Sequence, residues 1–240
     1  MKNQYFGDIN DYKKYGLLRS IFKASNLKIL IAWMLTKDDG STDGKFIEYL
    51  SDPEKWEKYD PELYREISVL LKQNSKREVN LIESSNILNG SQYFSTLITD
   101  EAVDRISWFF DLKTASQNCD LVFLDPDNGL EIKSVPYGRK KSSKFLYWEE
   151  VSSLWSAGKS LLIYQHFIRE KRELFIERML NSLAEKTEDS VVGAFSTSNV
   201  LFLLALQPEH HKFHTPIVNS VQTAWPGQIL CSKIEHPCIT

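Results

Sequence analysis

Cysteine is scarce in this 240-residue chain: three residues, Cys119, Cys231 and Cys238, odd in number and without a C-x-x-C spacing. That pattern argues against a disulfide framework or a structural zinc knuckle and predicts a cytoplasmic protein. Long apolar runs are missing too. The richest early stretch, Leu27 to Leu35, has about half the length a bilayer needs and contains Lys28, so a buried strand is expected there rather than a membrane span. The first eight residues, from Met1 to Asp8, carry one lysine and no apolar stretch, which predicts no secretory signal. Neither sign of charge dominates. With 29 basic against 32 acidic side chains, composition leaves nucleic acid open as a partner, because a local basic patch serves as well as a global excess. No internal repeat, low-complexity tract or linker is visible, which predicts one domain over residues 1–240.

What is present is an ordinary folding composition, 42% apolar and 12% aromatic, in a chain long enough to bury roughly 70–75% of its unfolded surface without a metal or disulfide staple. A helix is expected over Asp11 to Ser25, with Tyr15, Leu18 and Phe22 on one face, Lys13, Lys14, Arg19 and Lys23 on the polar remainder, and Asp8 or Asp11 as cap. Lys28 to Leu35 reads as a strand covered on both faces. Asp60-Pro61 opens a second helix lined by Leu63, Ile67, Leu70 and Leu71. Val79 to Ile82 is a short strand candidate, and a helix begins near Asp100 with Val103, Ile106 and Phe110 at helical spacing. Leu121 to Leu124 and Leu161 to Tyr164 are further buried strands, separated by a short helix carrying Val151, Leu154 and Trp155 and stopped by Gly158. Ile168 to Lys186 is amphipathic, with Ile176, Met179, Leu180 and Leu183 as its buried stripe. Val191 to Phe195 and Val200 to Leu206 are close enough for an antiparallel hairpin. The alternation implies one open α/β sheet, mostly parallel, with helices on both faces and that hairpin at its C-terminal end.

Ligands of such sheets bind beyond the carboxyl ends of the strands. Three of those ends are chemically dense: Asp38-Asp39-Gly40, Asp125-Pro126-Asp127-Asn128, and Gln165-His166. On adjacent strands they share one rim, enough for acid–base work or for a divalent metal. Capping and Asx-turns are the ordinary use of such residues, and a satisfied core histidine is the ordinary reading of His166. Two carboxylates and an amide crowded after one buried strand repel more than a single cap would, which favours function for Asp125, Asp127 and Asn128. Arg139, Lys140 and Lys141, in the loop that follows, suit a polyanionic substrate. His210, His211 and His214 include the i, i+4 spacing of metal ligands, but no H-E-x-x-H accompanies them and Gln207-Pro208-Glu209 reads as a loop, so no zinc site is expected.

The segments Tyr5-Phe6-Gly7-Asp8, Asp11-Tyr12, Lys14 to Arg19, Asp120 to Gly129 and Tyr164-Gln165-His166 resemble an uncharacterised bacterial family. More remotely they are similar to the large-subunit ribosomal RNA adenine-N6 methyltransferases. Gly7, Asp11 and Lys14 match the spacing of that family's first-helix signature, and Asp125-Pro126 stands where it carries Asp-Pro-Pro-aromatic. The resemblance implies a Rossmann-like, methyltransferase-type fold, S-adenosylmethionine as cofactor and an amine of nucleic acid as acceptor. Asp125 would orient the amine, and Tyr164 or Phe167 would supply the ring on which a flipped base stacks. Asp11, Lys14, Asp38, Asp39 and Glu83 would serve the cofactor side, and Tyr164 with Arg139 to Lys141 the substrate. Where that family has a glycine-rich loop after its first strand, this chain has Trp33 to Asp39.

Two alternatives stay open. Asp38, Asp125 and Asp127 would hold Mg²⁺ or Mn²⁺ in a phosphohydrolase or nuclease, with His166 moving the proton. Or the loops bind a nucleotide or protein partner without catalysis. The six tryptophans and ten tyrosines set no oligomeric state, because spacing alone does not separate core from interface.

Overall fold

The structure, a computed structural model, describes residues 1–38, 40, 44, 46–88 and 90–233. Asp39 and Cys238 lie outside the described residues. In chain order the elements are α1 (Ile9–Ser25), β1 (Ile29–Ala32), α2 (Pro53–Trp56), α3 (Pro61–Gln73), α4 (Asn80–Glu83), β2 (Gln92–Phe94), α5 (Ala102–Ala115), β3 (Leu121–Leu124), β4 (Gly129–Leu130), β5 (Phe145–Leu146), α6 (Trp148–Ser156), β6 (Ser160–His166), α7 (Arg172–Lys186), β7 (Val191–Ser196), β8 (Val200–Leu206), α8 (His214–Ala224) and β9 (Leu230–Lys233).

Seven strands form one sheet in the order β2-β1-β3-β6-β8-β7-β9, and β4 pairs with β5 in a small parallel ribbon. The first four strands of that order run parallel. The hairpin β7–β8 then inserts β8 antiparallel to β6, and β9 closes the edge antiparallel to β7. This is the mostly parallel, Rossmann-like α/β sheet expected from the alternation of elements. Strand β1 explains why it forms: its four residues are all buried, so both faces of the strand must be covered. Ile29 and Ile31 belong to the core beneath α1, α3 and α8, whereas Leu30 and Ala32 belong to the core beneath α5, α6 and α7.

Local signals set the helix ends. Asp8 caps α1 by accepting from the backbone of Asn10 and Asp11, and Asn26 ends it in the left-handed region. Asp60 caps α3, with Pro61 at its first position. Gly158, at φ +76°, follows α6 as anticipated.

Four expectations require correction. Val79 to Ile82 is not a strand: residues 80–83 form the helical turn α4, because so short an apolar run carries no period that separates helix from strand. The edge strand is instead Gln92–Phe94. Helix α5 is present, but Val103, Ile106 and Phe110 face away from the core, and Arg105, Trp108 and Leu112 are buried in their place. Helix α7 begins at Arg172 rather than Ile168, and Phe175 takes the fully buried place expected for Ile176. Finally, Lys13 and Lys14 are buried on α1 rather than solvated.

The packing of α1 on α8 hinges on Gly16. A Cβ there would fall 1.9 Å from a ring carbon of Trp225, which is fully buried. Alanine is the better helix former by about 1 kcal/mol, yet Gly16→Ala is expected to lower stability by about 1–3 kcal/mol, because the indole has nowhere to retreat. A fall in the urea midpoint with an unchanged m-value is the expected result.

Candidate functional site

Because β1, β3 and β6 are direct neighbours, the residues that follow them share one rim. A cavity of about 380 Å³ opens there. Its walls come from the first turns of α1 (Asp8, Asp11, Lys14), the segment after β3 (Asp125 to Asn128), the end of β6 (Tyr164, His166), and Tyr5 and Phe46. The structure thus brings together Asp11, Lys14, Asp125, Asp127, Asn128, Tyr164 and His166 from the residues singled out in the sequence.

Lys14 is the centre of this wall. Its buried ammonium lies 2.6 Å from Asp11 Oδ1 and 2.8 Å from Asp125 Oδ2. The rings of Tyr15, Trp33 and Tyr164 surround it at 5.2–5.7 Å. Burial opposes the charge on Lys14, but the two carboxylates outweigh it and hold the ammonium above its ordinary pKa. Asp11 is itself held in place, its Oδ2 accepting from the Gly7 amide and the Tyr15 hydroxyl at 3.0 Å each.

Asp127 is buried beside the Lys2 and Lys144 ammonium groups and the Met1 amine. Its Oδ2 lies 3.7 Å from Lys2 Nζ and 3.3 Å from Lys144 Nζ, and its Oδ1 3.9 Å from the Met1 ammonium. Among the described residues Oδ1 has no hydrogen-bond partner. The Met1 ammonium donates to the carbonyls of Met34 and Asp125, and burial lowers its pKa to about 6. Asn128 is exposed at the mouth, its amide donating to the Lys144 carbonyl. Gln165, next to the rim, positions the turn: Oε1 accepts from Leu130 N at 2.7 Å. It packs so closely on Gly129 (φ +103°) that a Cβ there would stand 2.4 Å from Oε1.

Two further groups on the cavity, His166 and Tyr164, are shifted toward their uncharged forms. Desolvation lowers the His166 pKa below its ordinary value despite Asp127 and Asp125 nearby, which leaves the imidazole neutral at pH 7. Its ring meets Tyr164 edge-on at 5.1 Å. Burial and the neighbouring carboxylates push the Tyr164 hydroxyl well above its ordinary range, so it stays protonated.

Other candidates stand elsewhere. Asp38 is exposed and accepts from the Gln4 amide. Glu83 lies off the cavity, half-buried, with its carboxyl pKa raised by that burial. Arg139, Lys140 and Lys141 are exposed in a loop tied to Asp100, and the cation of this segment that reaches the site is Lys144. Phe167 packs on Phe175 and Arg172. The rings on the cavity are Tyr5, Phe46 and Tyr164. Sequence reasoning missed Phe46 and Lys144, which carry no signal of their own; Tyr5 stood in a recognised motif without an assigned role. His210 Nδ1 pairs with the fully buried Ser160 Oγ at 2.8 Å, far along the chain from the rim.

The donor set does not suit a divalent ion. Asp38 does not line the cavity, and Asp125, Asp127 and Asp11 already face ammonium groups, so a metal would have to displace Lys14 or Lys144. Among the described residues no group of three His, Cys, Asp or Glu side chains is placed to hold a metal. A larger cavity, about 810 Å³, lies between α1, α3 and α8, but its Arg19 is committed to Asp60 and Glu62. The smaller cavity is the one that gathers the acidic side chains, Lys14, Tyr164 and His166. No helix among the described residues is long and apolar enough to cross a membrane.

No family model and no curated protein matches this chain. Among solved structures, the crystal structure of protein LPL1258 from Legionella pneumophila, described under the family model DUF519, aligns over 96% of this chain and 98% of that one. The identity is 13% and the TM-score 0.42, values that assign no residue of the site.

Asp8 gives the site a pH signature. Burial first, and then the adjacent Asp11 charge, raise its pKa from 3.8 to about 7. A carboxyl whose folded pKa exceeds its unfolded value is bound to a proton more often in the folded state, so its contribution to stability falls as pH rises from about 4 to 7. Asp8→Asn keeps the cap and abolishes the titration. The stability of the wild type relative to Asp8→Asn is expected to decline across that window in urea titrations, and a pH-independent difference would contradict the assignment.

Proposed function

We propose that the protein is methyltransferase-like and admits an amine-bearing base of a nucleic acid or nucleotide to the cavity at Asp125. The observation that carries this reading is the Asp125 carboxylate itself, paired with Lys14 at 2.8 Å at the end of a central parallel strand and walled by the Tyr164 ring. A carboxylate so placed accepts an N–H from an exocyclic amine and aims the nitrogen lone pair. Tyr5 and Phe46 add ring surface at the entrance, and a cavity of this size falls at the small end of the range for organic ligands. Neutral His166, on the same wall, accepts the proton that the amine must lose.

S-adenosylmethionine, when bound, supplies a methyl group on a sulfonium. Of the residues the resemblance assigns to it, Asp11 and Lys14 stand on the cavity wall, paired with each other at 2.6 Å. Asp38 and Glu83 do not stand there. Fully buried Trp33 follows β1, and Thr36 N donates to the Met1 carbonyl, so the opening residues of the chain cover the end of that strand. This covering favours a second reading, base binding without transfer.

Thermal shift and methyl incorporation separate the two. S-adenosylmethionine at about a hundred times its dissociation constant adds roughly 2.7 kcal/mol and is expected to raise the midpoint by several degrees. Asp125→Asn is expected to lower stability by about 3–5 kcal/mol, because it leaves buried Lys14 with one carboxylate, and, at a temperature where circular dichroism shows the variant folded, to reduce methyl incorporation into nucleic acid by about 10²-fold. Undiminished incorporation by Asp125→Asn sinks the proposed role of Asp125. A shift with nucleotides but none with S-adenosylmethionine selects the binding reading.

A further inference from the structure

Lys13 is a buried charge that the chain does not pair. It is 5% exposed, yet among the described residues its ammonium makes no hydrogen bond and no ion pair, and what it meets is the Trp56 ring, at 5.3 Å. Lys2 and Lys14, buried to a similar degree, each have a carboxylate, at 3.7 and 2.6 Å. The charge that acts on Lys13 is a like one: burial first, and then Lys55, lower its pKa below the ordinary value. Exposed Lys55 places its own ammonium over the same indole, also at 5.3 Å.

The carboxylates of this segment are engaged elsewhere or do not bear on Lys13. Asp52 caps α2 by accepting from the Lys55 amide, and Glu57 pairs with Arg65. Glu54 is not among the charges that shift Lys13. Two ammonium groups on one ring are therefore left uncompensated, a costly arrangement that an anion completes. Their place relative to the rim is also set. Lys13 follows Asn10 by one turn of α1, about 5.4 Å, and side chains on a helix lean toward its N-terminus. Lys13 thus leans toward the wall of the 380 Å³ cavity on which Asn10 stands.

We propose that Lys13 and Lys55, on the Trp56 ring, hold a phosphate of the strand whose base enters that cavity. The phosphate follows from the unpaired charges; its attribution to nucleic acid rests on the function proposed above. A nucleotide carries its phosphate one sugar away from its base, and Lys13 stands one helical turn from the cavity wall. Cations set beside an aromatic ring are the usual means of following a single strand without reading its sequence.

Fluorescence anisotropy of a labelled single-stranded oligoribonucleotide, measured over a salt series with the full chain, tests the proposal. Lys13→Met and Lys55→Met are each expected to weaken binding at low salt by about tenfold and to reduce the salt slope by about 0.7–1. Lys13→Met is expected to keep the urea midpoint at or above that of the wild type, because it removes an unpaired buried charge and retains the packing of the stem. An oligomer of equal length with abasic sites in place of its bases is expected to show the same dependence on the two lysines. Affinity and salt slope unchanged in both variants overturn the proposal; a lowered midpoint with unchanged affinity makes Lys13 a brace for Trp56 and overturns it too. Absence of binding overturns the nucleic-acid source, and the phosphate site survives that result only if inorganic phosphate raises the thermal midpoint of the wild type and not of Lys13→Met. Lysine-dependent binding of the abasic oligomer by a protein that binds no nucleoside upholds this site while the base reading of the cavity falls.

Discussion

One buried cation ties the molecule together. Lys14 sits in the second turn of α1, and its ammonium reaches Asp125 at the end of β3, 111 positions away in sequence. Taking an ammonium out of water costs several kcal/mol, and only close, well-hydrogen-bonded carboxylates offset it. Asp11 and Asp125 do so together, and neither is dispensable: removing one partner of such a group leaves an uncompensated buried charge, worth about 3–5 kcal/mol. Helix α1 therefore cannot slide or rotate against the sheet without breaking the pair. Its register is set by charge as well as by packing, and the cavity wall is positioned by the same contact.

The rest of the rim follows from that constraint. With Asp125 pinned from below, Pro126 and Asp127 turn into the space between Lys2 and Lys144. The turn then needs a residue without a side chain at Gly129, because Gln165 presses against it while satisfying the Leu130 amide. Aromatic rings take the remaining volume around Lys14, where they offer a polarisable wall to the ammonium and exclude the water that would weaken its ion pairs. Trp33, in place of a flexible loop, makes that end of β1 a solid surface.

Much of this was legible in the residues. Fully apolar runs such as Leu121 to Leu124 read as two-sided strands, because a strand exposed on either face would alternate. Asp60-Pro61 announced α3 by local capping chemistry alone, and strand ends rich in acids pointed to the rim. What stayed hidden depends on contacts distant in sequence. Helical periodicity treats lysine as a solvent-facing residue, so it could not find Lys14, whose burial follows from Asp125. On α5 the apolar residues at helical spacing suggested the wrong face, because the buried side is organised around Arg105, which makes a bidentate pair with Glu150 of α6 and is covered by Trp108. A charged residue at the centre of a buried face defeats any reading based on hydrophobic period. The strand Gln92–Phe94 was too short and too polar to register at all.

The arrangement of charge also limits what the cavity can take. Asp11, Asp125 and Asp127 each meet cations supplied by the chain itself, so their negative charge is largely spent before a ligand arrives. A divalent ion gains most where carboxylates stand together unopposed, and here its entry requires expelling an ammonium already stabilised by burial among aromatic rings. A neutral base with an exocyclic amine asks for much less: one acceptor oxygen, a ring to lie against and a neutral imidazole within the same walls. Asp125, Tyr164 and His166 supply these without disturbing Lys14. Compensation by the chain's own lysines thus makes the acidic rim a poor trap for a cation, and it is the feature on which the proposed binding of an uncharged, hydrogen-bonding base rests.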